Sequence, residues 1–332
     1  MPDQKTPLLE IRDFSLSLKS TPHPLPLLKG LSFSLNEGES LAIVGESGCG
    51  KTLTARSIIR LFDHVSFQVD GGSILYRGED VLKMPGPKLC GIRGKKIAMI
   101  FQEPMTALNP VFTIGEQIEE VLILHLKLTK SQAQRRAIEL LDKVGIPEAR
   151  YRINSYPHEL SGGMRQRAMI AMAIACNPEL LIADEPTTAL DVTVQAQILE
   201  LLERLRSSIA MGLILVTHDL GIVWNVAQKV IIMYAGYIVE EAPVGPLFRE
   251  PLHPYTIGLL KSVPSMDAMK HGNGQRNRLD PIPGNVPSMD QLGPGCPFAP
   301  RCSQQLATCS KELPKLITID PHERRRVRCH LY

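Results

Sequence analysis

A glycine-rich segment in the first quarter of the chain constrains the fold more than any other part of the sequence. Residues 41–44 form a short apolar run typical of a buried strand, and residues 45–52 match the pattern G-x-x-x-x-G-K-[ST]. Backbone N–H groups in such a loop point inward at the start of a helix, which favours a bound phosphate. This phosphate loop predicts a site for ATP, and its members are Gly45, Glu46, Ser47, Gly48, Cys49, Gly50, Lys51 and Thr52.

Two residues of the loop and a later acidic pair have specific predicted roles. Lys51 should reach the β- and γ-phosphates, and the Thr52 hydroxyl should hold Mg²⁺. The apolar run 180–183 ends in Asp184 and Glu185. We expect Asp184 to bind Mg²⁺ through water, and Glu185 to polarise the attacking water and accept its proton. A solvated acidic turn at the end of a buried strand is the alternative.

Three more polar residues occur next to predicted elements. His218 follows the apolar run 213–216, and we predict that it contacts the γ-phosphate; a solvated histidine at a strand end is the alternative. Gln102 follows the strand-like run 97–101, where it either lies between two lobes or only caps the strand. Asp191 is a good N-cap for a helix predicted to follow it.

A second glycine-rich segment, Leu160-Ser161-Gly162-Gly163-Met164, is not needed by a lone phosphate loop. We name residues 160–164 the signature segment. The helix predicted after it has an apolar stripe, and its N-terminal dipole would favour a phosphate. Together with the phosphate loop, this segment implies an ATPase that works as a sandwich of two nucleotide-binding modules.

In this order the motifs resemble those of the ATP-binding subunits of ABC transporters, over about residues 8–332. Residues 102–110 and the C-terminal extension are most similar to the oligopeptide, dipeptide and nickel importer branch, above all to its dipeptide subunits. The resemblance implies an α/β fold with a P-loop NTPase (RecA-like) ABC ATPase core over residues 1–250. It also implies a small antiparallel β subdomain, a helical subdomain at about residues 103–175, and a Cys-rich extension over residues 251–332.

The resemblance implies that two ATPase subunits pack head to tail. Ser161, Gly162 and Gly163 of one chain would then face the γ-phosphate held by the phosphate loop of the other. Asp191 would also lie at the bound ATP. Closing with ATP and opening after hydrolysis would be driven by contacts to the γ-phosphate.

The resemblance also implies roles within one chain. Glu185, His218 and Gln102 would form the catalytic set, and Gln102 would join Thr52 and Asp184 at the Mg²⁺ ion. Gln102 would in addition report the nucleotide state to a membrane partner.

The implied function is ATP-driven uptake of dipeptides and oligopeptides, with nickel or another small solute as the alternative. The implied partners are a second ATPase subunit, expected to be a related but different chain, two transmembrane permease subunits and, indirectly, an extracytoplasmic substrate-binding protein. An ABC ATPase that acts on nucleic acid is the alternative from another class. It would need a long coiled-coil or zinc-bearing insert, whereas 58 residues separate Gln102 from Ser161.

Charge and hydropathy agree with these expectations. The formal net charge is +3, with acidic and basic residues well mixed, so nothing favours a nucleic-acid partner. No run approaches the roughly 20 apolar residues of a membrane helix, and no signal peptide begins the sequence. We expect the chain on the cytoplasmic face of the membrane, held there by the permease subunits.

Periodicity predicts the elements around these motifs. Short strands should form a small antiparallel sheet at residues 8–14, 31–35 and 74–76. Helical patterns include residues 114–122 and 131–144, the latter stopped by Gly145, and a hairpin should turn at Ala235 and Gly236.

Three positions depart from the pattern of the family. Met164 stands where glutamine is commonest, which we do not interpret as loss of activity. Cys49 stands where serine is usual; a thiol at a helix N-terminus can have a lowered pKa, so we predict that its alkylation blocks ATP binding. Residues 21–28 contain no aromatic side chain to stack on adenine, so the stacking residue stays unassigned.

From about residue 251 the chain is rich in proline and glycine, which predicts a loop-rich extension rather than another layer of the core. It contains four of the seven cysteines: Cys296, Cys302, Cys309 and Cys329. Cytoplasmic proteins rarely keep structural disulfides, which favours a metal.

The spacing of these cysteines leaves the metal open. The gaps are five, six and nineteen residues, unlike the close pairs of most Zn²⁺ sites. Four thiolates from irregular loops suit an iron–sulfur cluster better, and similar extensions in the importer branch hold a [4Fe–4S] cluster in some members. Zn²⁺ and free thiols are the alternatives, and His330 is expected to be a solvated neighbour.

Overall fold

The chain forms two sheets flanked by helices, and the computed structural model describes residues 6–19, 23–188, 190–262, 282–321 and 324–332. The strands are β1 (Leu9–Leu18), β2 (Leu25–Leu35), β3 (Ser40–Val44), β4 (Phe67–Tyr76), β5 (Glu79–Asp80), β6 (Ile97–Ile100), β7 (Leu180–Asp184), β8 (Gly212–Thr217), β9 (Lys229–Tyr234), β10 (Tyr237–Pro243), β11 (Ile317–Asp320) and β12 (Arg325–Val327). The helices are α1 (Lys51–Ile58), α2 (Gly86–Ile92), α3 (Pro104–Ala107), α4 (Ile114–Leu126), α5 (Lys130–Lys143), α6 (Ala149–Arg152), α7 (Gly162–Ile174), α8 (Val192–Ile209), α9 (Leu220–Val226), α10 (Val244–Arg249) and α11 (Pro254–Lys261). Within the described ranges, none of these helices has the length and apolarity to cross a membrane.

The smaller sheet is antiparallel, with the strand order β2-β1-β4-β5. The three strand segments predicted for it fall in β1, β2 and β4. Phe14 and Leu16 on β1 are fully buried and belong to the same apolar core as Ile43 on β3. The predicted small antiparallel sheet is therefore confirmed, and it packs beside the main sheet.

The main sheet has eight strands in the order β11-β12-β10-β9-β3-β8-β7-β6. The five strands from β9 to β6 in this order are parallel, and β3, β7 and β8 are buried along their whole length. Continuous apolar runs are expected for parallel strands that are covered on both faces. The sheet is thus the centre of an α/β core.

A helical insert covers the other face of this sheet. Its helices α4 and α5 both begin with a capping box, at Thr113 and Thr129. The helix predicted at residues 131–144 is α5, and Gly145 follows it with φ 78°, as expected for a helix stop. Helices α4, α5, α7 and α8 share one apolar core with β6, β7 and β8.

The predicted hairpin joins β9 and β10. Ala235 and Gly236 form its turn, with φ of 47° and 84°. A Cβ atom at Gly236 would lie 2.3 Å from the Leu27 carbonyl oxygen, so glycine is required there by close packing as well as by backbone angle.

The C-terminal extension differs from the expectation of loops alone. Strand β12 pairs with β10, and β11 pairs with β12, so the extension adds two strands to the core sheet. These strands have four and three residues, which is too short to give a recognisable periodicity. The boundary placed at residues 250–251 stays a prediction, and residues 263–281 lie outside the described part of the chain.

Candidate functional site

Topology brings the predicted polar residues to one edge of the main sheet. Four neighbouring parallel strands lie in the order β3, β8, β7 and β6. Their carboxyl ends lead to the phosphate loop, His218, Asp184 with Glu185, and Gln102, respectively. The carboxyl edge of a parallel sheet is the usual ligand site of open α/β folds.

The phosphate loop is curled tightly between β3 and α1. Gly48 and Gly50 have φ of 80° and 102°, and a Cβ atom at Gly45 would lie 2.3 Å from the Met233 carbonyl oxygen. The buried Lys51 ammonium donates to the carbonyl oxygens of Gly45 (2.8 Å) and Glu46 (3.1 Å). The lysine therefore lies against the loop, and Ser47 and Gly48 form its exposed crest.

The prediction of a reactive thiol in this loop is wrong. Cys49 is fully buried, and burial raises the pKa of its thiol more than the nearby Lys51 charge lowers it. An uncharged, inaccessible thiol is a poor nucleophile. The thiol side chain takes part in packing under the loop.

Thr52 and Asp184 form the pair predicted for Mg²⁺. The Thr52 hydroxyl donates to Asp184 Oδ1 at 3.0 Å. Asp184 is fully buried, and its second oxygen, Oδ2, has no hydrogen-bond partner among the residues that the structure describes. Burial raises the pKa of this carboxyl group. A buried carboxylate with a free oxygen beside a hydroxyl fits a magnesium ion, which prefers oxygen ligands.

Glu185 is the centre of the polar network. Its Oε2 accepts hydrogen bonds from Gln102 Nε2 and from the Thr188 hydroxyl, both at 3.0 Å. Its Oε1 lies 3.4 Å from His218 Nδ1 and 4.0 Å from Lys51 Nζ. One carboxylate oxygen is therefore held by two donors, and the other faces the lysine and the histidine.

Thr188 was not singled out by the sequence, although it lies in the turn after Glu185. Glu185 itself has φ 45°, a left-handed conformation that is uncommon outside glycine and is often found at functional sites. The one signal for Thr188 was its position three residues after the acidic pair. Residue 189, next to it, lies outside the described residues.

The signature segment lies apart from this network. Ser161 caps α7 by accepting a hydrogen bond from the Met164 N–H (3.3 Å), and both Ser161 and Gly162 are exposed. A Cβ atom at Gly163 would lie 3.0 Å from Val194 on α8. Among the described residues, no hydrogen bond or ion pair joins the signature segment to the phosphate loop.

Asp191 is the N-cap of α8, as predicted, and its Oδ1 accepts a hydrogen bond from the Val194 N–H at 2.9 Å. It is exposed beside the signature segment, and the next residue, Val192, is also exposed. These two segments thus form one surface of the helical side of the molecule.

A second candidate site lies in the C-terminal extension. One small cavity is lined by all four cysteines of the extension, Cys296, Cys302, Cys309 and Cys329. Burial raises the pKa of Cys296 to about 11, and also raises the pKa of Cys302 and of Cys329. Within the described ranges, no three His, Cys, Asp or Glu side chains are close enough to hold a single metal ion. We name this space the cysteine cavity.

The His330 ring also lines the cysteine cavity, but its Nε2 lies 2.9 Å from the Glu312 carbonyl oxygen. The residue that stacks on adenine stays unassigned, because residues 21–28 contain no aromatic side chain; residues 21 and 22 also lie outside the described part of the chain.

The phosphate loop and the residues around it define a P-loop ATPase of the ABC type. The profile described as "ABC transporter" matches residues 28–188, and the profile described as "Oligopeptide/dipeptide transporter, C-terminal region" matches residues 239–309. The chain belongs to the ATP-binding subunits of ABC transporters and is an ATP-hydrolysing subunit of this family.

Relatives and solved structures agree. The oligopeptide transport ATP-binding protein AppD of Bacillus subtilis is 49% identical over 326 residues, covering 98% of this chain and 97% of AppD. The ATP-binding cassette MJ0796, solved as a dimer with ADP and Pi, matches with a TM-score of 0.64 and 28% identity, over 71% of this chain and 98% of MJ0796. CbiO1 of Clostridium perfringens shares the fold, with a TM-score of 0.63 at 23% identity, over 74% of this chain and 92% of CbiO1.

Proposed function

We propose that this chain hydrolyses ATP to drive import of short peptides through a membrane transporter. The near full-length similarity to AppD supports peptides as the transported substrate, and the hydrogen-bond network around Glu185 supports ATP hydrolysis as the reaction. Within the network, Lys51 and the loop N–H groups bind the phosphates. Glu185 Oε1 accepts the proton of the attacking water, because its other oxygen is already held by Gln102 and Thr188.

His218 and the metal ligands complete the proposed chemistry. His218 is 3.4 Å from the same Glu185 oxygen and is 60% exposed, so it can contact both the carboxylate and a γ-phosphate at the edge of the site. Mg²⁺ held by Thr52 and Asp184, with Gln102 as a further ligand, would neutralise negative charge on the phosphates.

The second half of the site is proposed to come from another subunit. Ser161, Gly162 and Asp191 are exposed in this chain and Gly163 is partly buried, and a head-to-tail partner would bring these residues to its γ-phosphate. The exposed apolar side chain of Val192, beside Asp191, supports burial at such an interface. We favour a related but different ATPase chain as the partner.

The helical insert is the proposed contact with the two permease subunits at the cytoplasmic face of the membrane. It exposes several large apolar side chains, which is unfavourable in water and typical of an interaction surface. They are Met105, Val111, Phe112, Leu124 and Tyr151. Gln102 lies two residues after β6, where the chain enters this insert, so its contact with Glu185 can connect nucleotide state to the permease. A substrate-binding protein outside the membrane acts only through the permease.

Peptide import is tested by uptake in cells that lack this chain. Complementation with the wild-type gene should restore uptake of a radiolabelled dipeptide, and Lys51→Ala should not, because it removes the phosphate-binding ammonium. ⁶³Ni²⁺ uptake is measured in the same cells. Restoration of nickel uptake without peptide uptake would reject the peptide assignment and support the nickel alternative.

The cysteine cavity is proposed to hold a [4Fe–4S] cluster, with Zn²⁺ as the alternative. Four thiols reach one space from separate loops, which is the donor set of such a cluster. Each thiolate would bind a different iron, so the ligands of a cluster are further apart than those of one ion. When bound, the cluster would cross-link the loops that supply the thiolates.

Metal analysis of the anaerobically purified chain tests this assignment. A cluster predicts about four irons and four sulfides per chain with brown absorbance, all lost in Cys302→Ser. Cys90→Ser is the control, because Cys90 is exposed on α2, outside the cysteine cavity. Stoichiometric zinc, or no metal, would reject the cluster.

A further inference from the structure

The C-terminal extension holds the phosphate loop through a single acidic side chain. Arg301 donates to both carboxylate oxygens of Glu46, from Nη1 at 2.6 Å and from Nη2 at 3.0 Å. Its Nε donates to the Pro283 carbonyl oxygen at 2.9 Å, and the Arg301 side chain is only 5% exposed. A bidentate arginine–carboxylate pair fixes the orientation of both groups, and here the arginine is buried while the Glu46 side chain is 29% exposed.

The extension contacts the same loop residue a second time. The Glu46 N–H donates to the Tyr255 hydroxyl at 2.9 Å, and Tyr255 on α11 is fully buried. Tyr255 packs edge-on against Tyr234, whose hydroxyl accepts a hydrogen bond from Arg301 Nη1 at 3.3 Å. Side chain and backbone of Glu46 are therefore both held by residues outside the phosphate loop.

Both contacts lead to the cysteine cavity. Arg301 ends a short 3₁₀ helix, Ala299–Arg301, and the next residue, Cys302, lines the cavity. Phe298, another lining residue, packs against Tyr255 with ring centroids 5.3 Å apart. A shift of the cavity wall must therefore move Arg301 and the ring that packs on Tyr255.

Electrostatics give this contact a consequence for ATP. Glu46 places a negative charge in the loop that must bind a polyanion, and Lys51 also bonds to the Glu46 carbonyl oxygen. With Arg301 in place, the Glu46 carboxylate is paired with a positive charge through two hydrogen bonds. Without Arg301 it would repel the phosphates and release the backbone to which Lys51 is bonded.

We propose that Arg301 and Tyr255 are positioning residues for ATP binding, which hold Glu46 and thereby couple the cysteine cavity to the phosphate loop. The proposal rests on ATP binding at the loop and not on which metal the cavity holds. Coupling between two sites is reciprocal, so ATP must also affect the thiols.

The first test compares single and double variants of the full chain, with binding of a fluorescent ATP analogue in Mg²⁺ as the readout. Arg301→Gln should weaken binding about tenfold, because it leaves the Glu46 charge unpaired. Glu46→Gln combined with Arg301→Gln should bind more tightly than Arg301→Gln alone, and Arg301→Lys should fall between wild type and Arg301→Gln. Arg325→Gln is the matched control, since this buried extension arginine bonds to Glu250 and not to the loop.

The double variant separates positioning from simple structural support. If Arg301 only holds the extension together, removing the Glu46 charge as well cannot restore affinity, and that result would overturn the proposal. Equal affinity of Arg301→Gln and Arg325→Gln would also overturn it. Should Arg301→Gln fail to fold, Tyr255→Phe keeps the ring and removes only the acceptor for the Glu46 N–H, and it should weaken binding about threefold.

The second test measures the reverse coupling in the reduced, metal-free chain. The cavity thiols are alkylated with iodoacetamide, with or without a non-hydrolysable ATP analogue, and quantified by mass spectrometry against the exposed Cys90 in the same sample. The analogue should slow labelling of Cys302 several-fold in the wild type but not in Arg301→Gln. Labelling rates that do not respond to the analogue would reject the coupling, whatever the metal analysis shows.

Discussion

The edge of the main sheet and the signature segment present two halves of an ATPase site in contrasting states. At the sheet edge, Lys51, Asp184 and Glu185 are buried or nearly so, and hydrogen bonds already join them to one another or to their neighbours. Ser161 and Gly162 are exposed, and among the described residues their hydrogen-bond partners lie in their own helix. We name the sheet edge the assembled half, because the fold of one chain brings its residues together. We name the signature segment the presented half, because one chain only exposes it on its surface.

The difference has a physical origin in how each half is stabilised. Residues at the ends of adjacent parallel strands are brought together by the strand pairing itself, so folding alone assembles them. A helix N-terminus with free N–H groups and a serine cap is stable in water, and it gains a further partner only when an anion reaches it. ATP binding and ATP hydrolysis can therefore be separated by mutation.

The largest effect is expected at the assembled half, from Glu185→Gln. The amide oxygen can still accept the hydrogen bonds from Gln102 and Thr188, but the amide nitrogen cannot accept a proton. We expect phosphate release to fall by about a thousandfold, within the range for loss of a general base. ATP binding should persist, measured by titration with the fluorescent analogue.

Lys51→Ala is the comparison for Glu185→Gln, because it should abolish binding itself. Hydrolysis by Glu185→Gln within about tenfold of the wild-type rate would show that the base lies elsewhere.

A smaller loss is expected at the presented half, from Ser161→Asp. Aspartate caps a helix as well as serine does, so α7 should keep its stability. Its charge would nevertheless face the γ-phosphate of the other subunit and repel it. We expect hydrolysis by the assembled transporter to fall about a hundredfold, comparable with loss of one group that stabilises the transition state.

Ser161→Asn is the matched variant for this prediction, since it caps equally well without a charge and should lose far less activity. ATP binding by the isolated chain should be the same for wild type and both variants. Weaker binding by isolated Ser161→Asp would mean that the signature segment acts within its own chain, and the contrast between the two halves would fail.

The sequence predicted the assembled half well because its signals are local. The phosphate loop, Asp184 and Glu185 each follow an apolar run that is typical of a buried strand, and parallel strands bring their carboxyl ends together. Thr188 escaped because a threonine in a turn has no distinctive pattern, and its role depends on the left-handed backbone at Glu185.

The extension was much less predictable, for a related reason. Its pairing with β10 involves strands of three and four residues, and Arg301 reaches Glu46 across 255 positions of sequence. No local pattern encodes such a contact. The lowered pKa expected for Cys49 was wrong because the helix N-terminus is evident from the sequence, whereas the burial that outweighs its effect on the thiol is not.

The assembled half should also protect the Cys49 thiol from alkylation. In the native chain we expect Cys49 to react with iodoacetamide at least about tenfold more slowly than the exposed Cys90, since its thiol is buried and uncharged. Peptide mapping after timed alkylation measures both rates in one sample. Comparable rates would mean that the phosphate loop opens readily without nucleotide.

The smallest expected effect concerns the charge buried at the assembled half. Burial raises the pKa of Asp184, which means that the ionised carboxylate is less favourable in the folded, nucleotide-free chain than in the unfolded chain. Asp184→Asn removes this charge and keeps an oxygen that can accept from Thr52. We expect its melting temperature without nucleotide to rise by about 2 °C.

Addition of Mg²⁺ and ATP should reverse that order. Bound Mg²⁺ and ATP stabilise the wild type by an amount that grows with their concentration relative to the dissociation constant. A neutral amide is a weaker Mg²⁺ ligand than a carboxylate, so Asp184→Asn should be stabilised much less. Differential scanning fluorimetry with ATP in Mg²⁺ or in EDTA measures both arms. A lower melting temperature of Asp184→Asn than of the wild type without nucleotide would contradict this prediction. It would mean that the protein itself compensates the Asp184 charge and that no metal ion is needed to neutralise it.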